Sequence, residues 1–389
     1  MSNKLNLYFD NAATSWPKPE AVYRAPEIQM REASGNPGRS GHTRTLESDR
    51  LVYRAREAVA NLFNVEDPSR VIFAYNATDA LNIALKGFLE KGDHVLFTAM
   101  EHNSVLRPLG RLRQEGTIVS DVIPCSEEGY PDIESLEEAY RSNTSLLVVN
   151  HASNVTGTIA PLERLITSAH KRGVKVLVDA AQTAGVIPID VQKTGLDMLA
   201  FTGHKGLLGP TGTGGLYVSR DIDLKPLREG GTGSQSESDL HPATMPERLE
   251  AGTMNSAGLA GLIEGVNYIL NQGPENIRQA EDSLRKYLWD KLQNIEGITL
   301  YGPKSSAAQT VAVVSLTVDG TDCGEIGYIL ESNYGILCRT GLHCAPLAHQ
   351  AIGTFPEGTV RLSPGYFTDI EDIDFLVKAL HEIVKLAAG

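Results

Sequence analysis

Two polar residues follow strand-like runs and have the side chains that a pyridoxal phosphate (PLP) site requires. Asp179 ends the apolar run 175–179, and Lys205 follows the run 198–202. A lysine amine can link covalently to the cofactor aldehyde, and a carboxylate beside the pyridine nitrogen keeps that nitrogen protonated, so that the ring accepts electrons. Taken alone, each residue is more often an ordinary loop or turn residue. The pair therefore gains meaning only if other segments bring polar residues to the same place.

The elements that must position these residues are short apolar runs separated by helical patterns. Amphipathic helical spacing occurs at 47–63 and at 161–171, where Pro161 lies in the first turn and Gly173 follows the end. Strands that alternate with such helices predict an α/β fold with a mostly parallel sheet. The strand-like runs are 71–75, 94–98, 119–124, 145–150, 175–179, 198–202 and 214–219.

Polar residues recur just beyond the ends of these runs. In a parallel sheet the carboxyl ends of the strands meet at one edge, and ligands bind there. Scattered loop residues would not follow strand ends so regularly. We therefore expect one site that contains Thr78, His102, Asn154, Asp179, Gln182 and Lys205.

The length of the chain predicts more than one domain. A chain of 389 residues suits a large domain with a smaller one. We predict an N-terminal segment (1–20) that packs with the small domain, a large cofactor-binding domain (21–260) and a small C-terminal domain (261–389). The C-terminal part combines helical and strand-like patterns, namely 256–270, 274–294, 310–316, 324–332 and 369–386.

Composition argues against several classes of protein. The net charge is −13 and no basic run occurs, which disfavours a nucleic-acid partner. No apolar run approaches the roughly 20 residues of a membrane span, and the N-terminus lacks the pattern of an export signal, so we predict a cytoplasmic protein without a membrane partner. The four cysteines are too sparse for a disulfide scaffold and form no Cys-x-x-Cys pair, so we predict no metal site and expect any functional cysteine to act as a thiol.

Several segments together resemble a known family. Asp-Ala-Ala-Gln at 179–182 and Gly-His-Lys at 203–205 resemble the class V aminotransferases of PLP fold type I, and within them the cysteine desulfurase and selenocysteine lyase group. The resemblance extends from Tyr-Phe-Asp-Asn-Ala-Ala-Thr at 8–14 to Val-Arg-Leu-Ser at 360–363. It implies a large domain with a mostly parallel seven-stranded sheet flanked by helices, a smaller C-terminal α/β domain, and a homodimer that shares its active sites.

The resemblance also implies roles for the residues that bind the cofactor. Lys205 would hold PLP and Asp179 would pair with its ring nitrogen, while His102 would stack on the ring and assist proton transfer. Asn154 and Gln182 would contact the phenolic oxygen. Backbone amides at a helix N-terminus favour an anion, which suits a phosphate. The implied phosphate ligands are Ala77, Thr78, Thr202, His204 and, from the neighbouring subunit, Thr253.

Two further positions concern the substrate. Arg361 matches the arginine that binds the α-carboxylate of an amino acid, a task that suits the planar guanidinium. Asn154 and Arg339 are predicted to add substrate contacts. The loop 337–346 resembles that of the SufS-like (group II) desulfurases, in which a cysteine matching Cys344 attacks the substrate sulfur and becomes a persulfide. A thiolate is the nucleophile, and we expect Arg339 and His343 to favour it by their charge.

The loop departs from its relatives at one important place. Leu342 stands where a histidine is usual in group II, and the residues after Cys344 also differ. The identity of any sulfur acceptor is therefore open. Cys338 ends an apolar run and is expected in the core, whereas Cys125 and Cys323 have no supporting context.

These observations predict a PLP-dependent enzyme that converts L-cysteine to L-alanine and leaves a persulfide on Cys344. The sulfur would pass to an acceptor protein for iron-sulfur cluster or thiocofactor assembly. Selenocysteine lyase is the nearest alternative, because selenium leaves more readily and does not require the thiol. A class V transaminase would need a keto acid and has no use for the cysteine loop. A sulfur-relay scaffold without catalysis is disfavoured because Lys205, Asp179 and Arg361 are all present.

Overall fold

The computed structural model describes residues 7–33, 35–38, 41–304 and 308–388. Parts of each predicted domain lie outside the described residues. These parts are residues 1–6 of the N-terminal segment, residues 34, 39 and 40 of the large domain, and residues 305–307 and 389 of the small domain.

The described chain alternates strands and helices along most of its length. Its strands are β1 (Leu7–Tyr8), β2 (Val71–Ala74), β3 (Asp93–Thr98), β4 (Ile118–Ile123), β5 (Thr144–Asn150), β6 (Lys175–Asp179), β7 (Met198–Thr202), β8 (Gly214–Val218), β9 (Ile298–Tyr301), β10 (Val314–Val318), β11 (Ile336–Leu337), β12 (Arg339–Gly341) and β13 (Thr359–Leu362). Its helices are α1 (Glu20–Glu32), α2 (Thr43–Phe63), α3 (Ala77–Phe88), α4 (Asn103–Gln114), α5 (Ile133–Ala139), α6 (Leu162–His170), α7 (Val191–Thr194), α8 (Ser256–Gln272), α9 (Pro274–Leu292), α10 (Cys323–Tyr334), α11 (Pro346–Ala351) and α12 (Ile370–Ala388). None of these helices combines the length and the apolar character that crossing a bilayer demands.

The larger sheet has seven strands in the order β2-β8-β7-β6-β5-β3-β4. Strand β8 runs in the opposite direction to the other six strands, so the prediction of a mostly parallel sheet is confirmed. Strands β6 and β7 are buried along almost their whole length because helices cover both faces of the sheet. The carboxyl ends of β3, β5, β6 and β7 therefore open onto one shared edge.

A second, four-stranded sheet has the order β12-β13-β10-β9 and is antiparallel throughout. Strand β1 pairs instead with β11, with Leu7 opposite Ile336. The strand predicted at 310–316 begins later, at Val314. Residues before it form other bonds, since the Val311 amide donates to the Gly157 carbonyl at 2.8 Å. The run of apolar residues continues from the residues before the strand into the strand itself. Only the tertiary contact separates the two segments.

A buried ion pair ties α2 to the polypeptide beyond β8. Arg56 and Glu250 form two parallel bonds of 2.8 and 2.9 Å, and both side chains are less than 10% exposed. Glu250 also accepts the Phe73 amide, and Arg56 donates to the Val71 carbonyl. Removing one partner of such a pair leaves the other charge buried and unpaired, which is far more costly than losing a surface pair.

We expect Arg56→Met to lower the free energy of unfolding by about 3 kcal/mol, because Glu250 loses its counter-ion. Arg111→Met is the matched control, since Arg111 pairs with Glu115 on an exposed helix face and should contribute at most about 0.5 kcal/mol. Urea denaturation of the two variants measures the difference. Equal losses of stability would contradict this view of the buried pair.

Candidate active site

The floor of the site is formed by the ends of β5 and β6. Asp179, the last residue of β6, is only 3% exposed and lies opposite Asn150 of β5. Its Oδ1 atom accepts the Ala181 amide at 2.9 Å. Burial raises the pKa of Asp179, while this amide and the charge of Lys205 act in the opposite direction. A cationic group placed beside Asp179 would favour its ionised form.

Lys205 lies on a tight loop after β7. The loop is closed by hydrogen bonds from the Gly203 amide to Thr213 and from the Gly209 amide back to Gly203, at 2.8 and 2.7 Å. A Cβ atom on Gly203 would lie 2.0 Å from Thr213 Oγ1, so this position requires glycine. Burial lowers the pKa of Lys205 to about 8, against the opposing charge of Asp179. Lys205 therefore has a larger fraction of neutral, nucleophilic amine near neutral pH than an exposed lysine has.

A cavity of about 690 Å³, including its open mouth, lies between these elements. This volume suits a small organic cofactor with part of a substrate. The predicted site residues that line it are Ala77, Thr78, His102, Asn154, Asp179, Gln182, Thr202, His204 and Lys205. Four lining residues were not predicted from the sequence, namely Asn76, Ser104, Asn150 and Ala181.

One end of the cavity is built to receive an anion. Helix α3 begins there, with Asn76 as its N-cap: Asn76 Oδ1 accepts the Asp79 amide at 3.0 Å. The first-turn amides and the helix dipole favour negative charge at this point. Thr202 Oγ1 and His204 Nδ1 are buried without a hydrogen-bond partner among the described residues. These two atoms can both donate, so a phosphate group would satisfy them.

His102 is the N-cap of α4, and its Nδ1 atom accepts the Ser104 amide at 3.1 Å. The Ser104 hydroxyl lies 2.8 Å from the same nitrogen and 2.7 Å from the Thr78 hydroxyl. Burial, together with the charges of Lys205 and Arg339, lowers the pKa of His102 to about 4. The imidazole is therefore neutral near pH 7. Ser104 therefore connects His102 by hydrogen bonds to the end of the cavity that suits an anion. Its position two residues after the histidine was the only feature of the sequence that could have indicated this role.

The two amide side chains of the site are already held by the protein. Asn154 Nδ2 donates to the His343 carbonyl at 2.7 Å, while its Oδ1 atom is buried and finds no partner within the described ranges. Gln182 Nε2 donates to the Ala12 carbonyl at 3.0 Å. Both residues thereby connect the cavity wall to other segments. Either side chain retains hydrogen-bonding capacity for a ligand.

Arg361 lies outside the cavity lining, fully buried on β13. Its Nη2 atom donates to Asp10 Oδ1 at 2.7 Å and its Nη1 atom to the Asn154 carbonyl at 3.2 Å, while Nε has no partner in the part of the chain that the structure describes. Arg339 lies directly opposite Arg361 on β12. Asp10 is the counter-ion that sequence reasoning missed, although it belongs to the N-terminal motif used to identify the resemblance. The arrangement gives Arg361 a fixed orientation with donors to spare.

The Cys344 loop is fastened to the wall of the cavity. The Asn103 amide at the start of α4 donates to the Cys344 carbonyl at 2.7 Å, next to the bond from Asn154 to His343. His343 and Cys344 both have left-handed backbone conformations, with φ of 48° and 60°. Such conformations cost on the order of 1–3 kcal/mol each and persist only where the surroundings impose them. Arg339 Nη2 lies 3.6 Å from the half-buried Cys344 sulfur.

The expectation that His343 adds positive charge near Cys344 is wrong. His343 is 2% exposed, and its Nε2 atom lies 3.1 Å from the Thr359 hydroxyl. Burial, helped by the charge of Arg361, lowers its pKa to about 2, so the ring is neutral. Arg339 is therefore the cation that contacts the thiol, and His343 supports the loop.

Thr253 lies apart from the other predicted site residues. It is exposed and lines a separate cleft with Tyr75, Asp79 and Arg228. Asp79 belongs to the same first turn of α3 whose other residues line the cavity. Thr253 thus lies on the far side of that turn within its own chain.

The donor set of the cavity fits PLP. Lys205 can form the covalent link, Asp179 is placed to face a ring nitrogen, and the start of α3 with Thr202 and His204 offers a phosphate site. The unpartnered atoms Thr202 Oγ1 and His204 Nδ1 are the observation that decides this, because buried polar atoms are normally paired.

We expect the amine of Lys205 to titrate near pH 8 in cofactor-free protein, as its lowered pKa of about 8 implies. The neutral amine reacts with acetic anhydride, so the labelling rate of the Lys205 peptide should rise through that pH. Mass spectrometry follows it, with the exposed Lys225 as the internal reference in the same digest. A labelling midpoint near the ordinary lysine value of about 10.4 would contradict the burial argument.

Comparisons with known proteins agree with this geometry. The family pattern described as "Aminotransferase class-V" matches residues 7–376. A probable cysteine desulfurase of Methanothermobacter thermautotrophicus is 35% identical, over 98% of this chain and 95% of its own. A cysteine desulfurase of Escherichia coli O157:H7 is 33% identical, over 99% and 95%. The apo structure of the cysteine desulfurase from Thermococcus onnurineus NA1 superposes with a TM-score of 0.91 at 32% identity, covering 98% of this chain and 95% of that one. The chain therefore belongs to the class V aminotransferase family.

Proposed function

We propose that the protein is a PLP-dependent cysteine desulfurase that converts L-cysteine to L-alanine and collects the sulfur as a persulfide on Cys344. The observation that carries this proposal is the fastening of the Cys344 loop to the cavity wall by Asn103 and Asn154. A transaminase has no need of a thiol at that point. The names of the relatives point to the same activity.

Arg361 is the proposed binding group for the substrate carboxylate. The guanidinium has five N–H donors, and the protein occupies only two of its nitrogens. Asp10 balances its charge and fixes its plane, so that little rotamer entropy is lost when the carboxylate binds. Arg339, on the neighbouring strand, is the second cation that an anionic substrate meets. Asn154 supports Arg361 through its backbone carbonyl.

Proton transfer needs nitrogen atoms whose neutral form is accessible at working pH, and burial provides two candidates. When bound, PLP draws electrons from the substrate and acidifies its Cα–H bond. Lys205, whose pKa is lowered to about 8, gains a growing neutral fraction as the pH approaches that value, and His102, whose pKa is lowered to about 4, is neutral with its Nδ1 lone pair directed at the Ser104 amide. Removal of the Cα proton and its later return to carbon are assigned to these two nitrogens.

Sulfur transfer is a nucleophilic displacement by Cys344. The thiolate attacks the substrate sulfur, a new S–S bond forms, and the Cβ–S bond breaks with its electron pair left on carbon. That carbon takes up a proton, so the products are L-alanine and the Cys344 persulfide. Arg339, 3.6 Å from the sulfur, stabilises the negative charge of the attacking thiolate.

We expect Cys344→Ala to lower turnover of L-cysteine by at least about 100-fold, corresponding to the loss of a nucleophile. The wild-type peptide that contains Cys344 should gain the mass of one sulfur atom after a single turnover. Cys323→Ser is the control thiol, because its sulfur donates to the Glu357 carbonyl and has no role in the proposed reaction. Unchanged turnover of L-cysteine in Cys344→Ala would refute Cys344 as the nucleophile, whereas loss of L-cysteine turnover with selenocysteine turnover retained would favour a selenocysteine lyase.

We expect Arg361→Lys to reduce kcat/KM for L-cysteine by about 30- to 100-fold, because the ammonium cannot bind a carboxylate with two parallel bonds. Arg111→Lys, on an exposed helix face, is the control and should leave kcat/KM unchanged. Steady-state assay of alanine formation measures both. A decrease of less than about threefold would remove Arg361 from carboxylate binding.

Several finer assignments belong to the same proposal. The short, anchored loop supports a group II desulfurase, with Leu342 in place of the usual histidine. The position of Thr253 on the outer side of the α3 turn supports a homodimer in which a second copy supplies it. The domain boundaries near residues 20 and 260, an acceptor protein for the sulfur in iron-sulfur cluster or thiocofactor assembly, and a cytoplasmic location stay as predicted from the sequence.

A further inference from the structure

Four donors converge on one backbone oxygen beside Lys205. The carbonyl of His204 accepts from the Ser15 amide at 3.0 Å, the Thr14 hydroxyl at 3.0 Å, the Ser15 hydroxyl at 3.2 Å and Lys18 Nζ at 3.2 Å. A carbonyl oxygen has two lone pairs, so this coordination is unusually rich. One of the donors carries a full charge, which strengthens its bond.

Lys18 has no other evident task. Its Nζ atom also donates to the Ser15 hydroxyl at 2.8 Å, and within the described part of the chain no carboxylate lies at ion-pair distance from it. Burial lowers its pKa to about 8. Holding a lysine partly buried without a counter-ion costs stability, so its contact with His204 calls for an explanation.

The segment that supplies these donors is itself fixed at its other end. The Ala12 amide donates to Ser363 Oγ at 3.0 Å, and Asn11 Nδ2 donates to the Ser363 carbonyl at 3.0 Å. Ser363 lies two residues beyond Arg361. Residues 10–18 therefore join the carboxylate-binding strand to the peptide bond that precedes Lys205.

We propose that Thr14, Ser15 and Lys18 are positioning residues that hold the His204–Lys205 peptide, and with it the Lys205 amine and the His204 ring, in the geometry that receives the cofactor. This inference rests on the proposed function, in which Lys205 carries PLP. A fixed carbonyl restricts rotation of the peptide plane on which both side chains depend. Pre-organisation of this kind lowers the entropy lost on binding.

The test compares a Ser15→Ala/Lys18→Met double variant with wild type and with Lys225→Met, whose exposed lysine pairs only with Glu90. The dissociation constant for PLP, measured by equilibrium dialysis, should rise by at least about tenfold in the double variant. Hydrogen exchange of cofactor-free protein should speed up in peptides that cover 203–209 and stay unchanged elsewhere. Lys18→Arg, which keeps a charged donor of similar reach, should retain most of the PLP affinity.

A PLP dissociation constant within about twofold of wild type would overturn the proposal, as would exchange that rises equally throughout the chain, because that result indicates a general loss of stability. Failure of the proposed function would give a different experimental result. In that case wild-type protein would bind PLP no better than Lys205→Ala or would form no alanine from L-cysteine. The hydrogen-exchange result in cofactor-free protein would still test the positioning role, independently of the proposed function.

Discussion

Two hydrogen bonds fasten the Cys344 loop to the structure around the cavity that Lys205 and Asn154 line. The Asn103 amide and the Asn154 side chain hold the carbonyls of Cys344 and His343, at 2.7 Å in each case. These donors lie at the edge of the seven-stranded sheet, whereas the loop leads out of the four-stranded sheet. The same two hydrogen bonds help to hold His343 and Cys344 in their left-handed conformations, which are unfavourable by themselves.

Burial determines the charge of the nitrogen atoms around the cavity. The pKa of Lys205 is lowered to about 8, and those of His102 and His204 to about 4, with loss of hydration as the largest cause each time. Near neutral pH the two histidines are therefore neutral, whereas the neutral amine of Lys205 becomes the main form only above about pH 8. Arg361 is deeply buried too, but Asp10 supplies its counter-charge.

Much of the fold and most of the cavity could be predicted from the sequence. The period of the apolar residues marks the strands of the larger sheet, and their carboxyl ends carry Asp179, Asn154 and His102. Sequence reasoning failed where a residue acts through a distant partner. Asp10 lies 351 positions from Arg361, and no local pattern pairs the two. His343 was expected to be charged because nothing in a short loop reveals that Thr359 and the surrounding core exclude water from its ring.

Residue types and spacing by themselves determined the chemical inventory: a lysine after a strand, a carboxylate at the end of the preceding one, an arginine and a thiol far along the chain. These features are local, since the periodicity of apolar residues and the turn-forming residues can be identified from consecutive positions. Tertiary structure alone decided which groups meet. It placed Thr14, Ser15 and Lys18 on the His204 carbonyl, Arg339 against Cys344, and Thr253 outside the cavity of its own chain. Such contacts depend on the packing of segments that are distant in sequence, and their geometry is fixed only when the whole chain has folded.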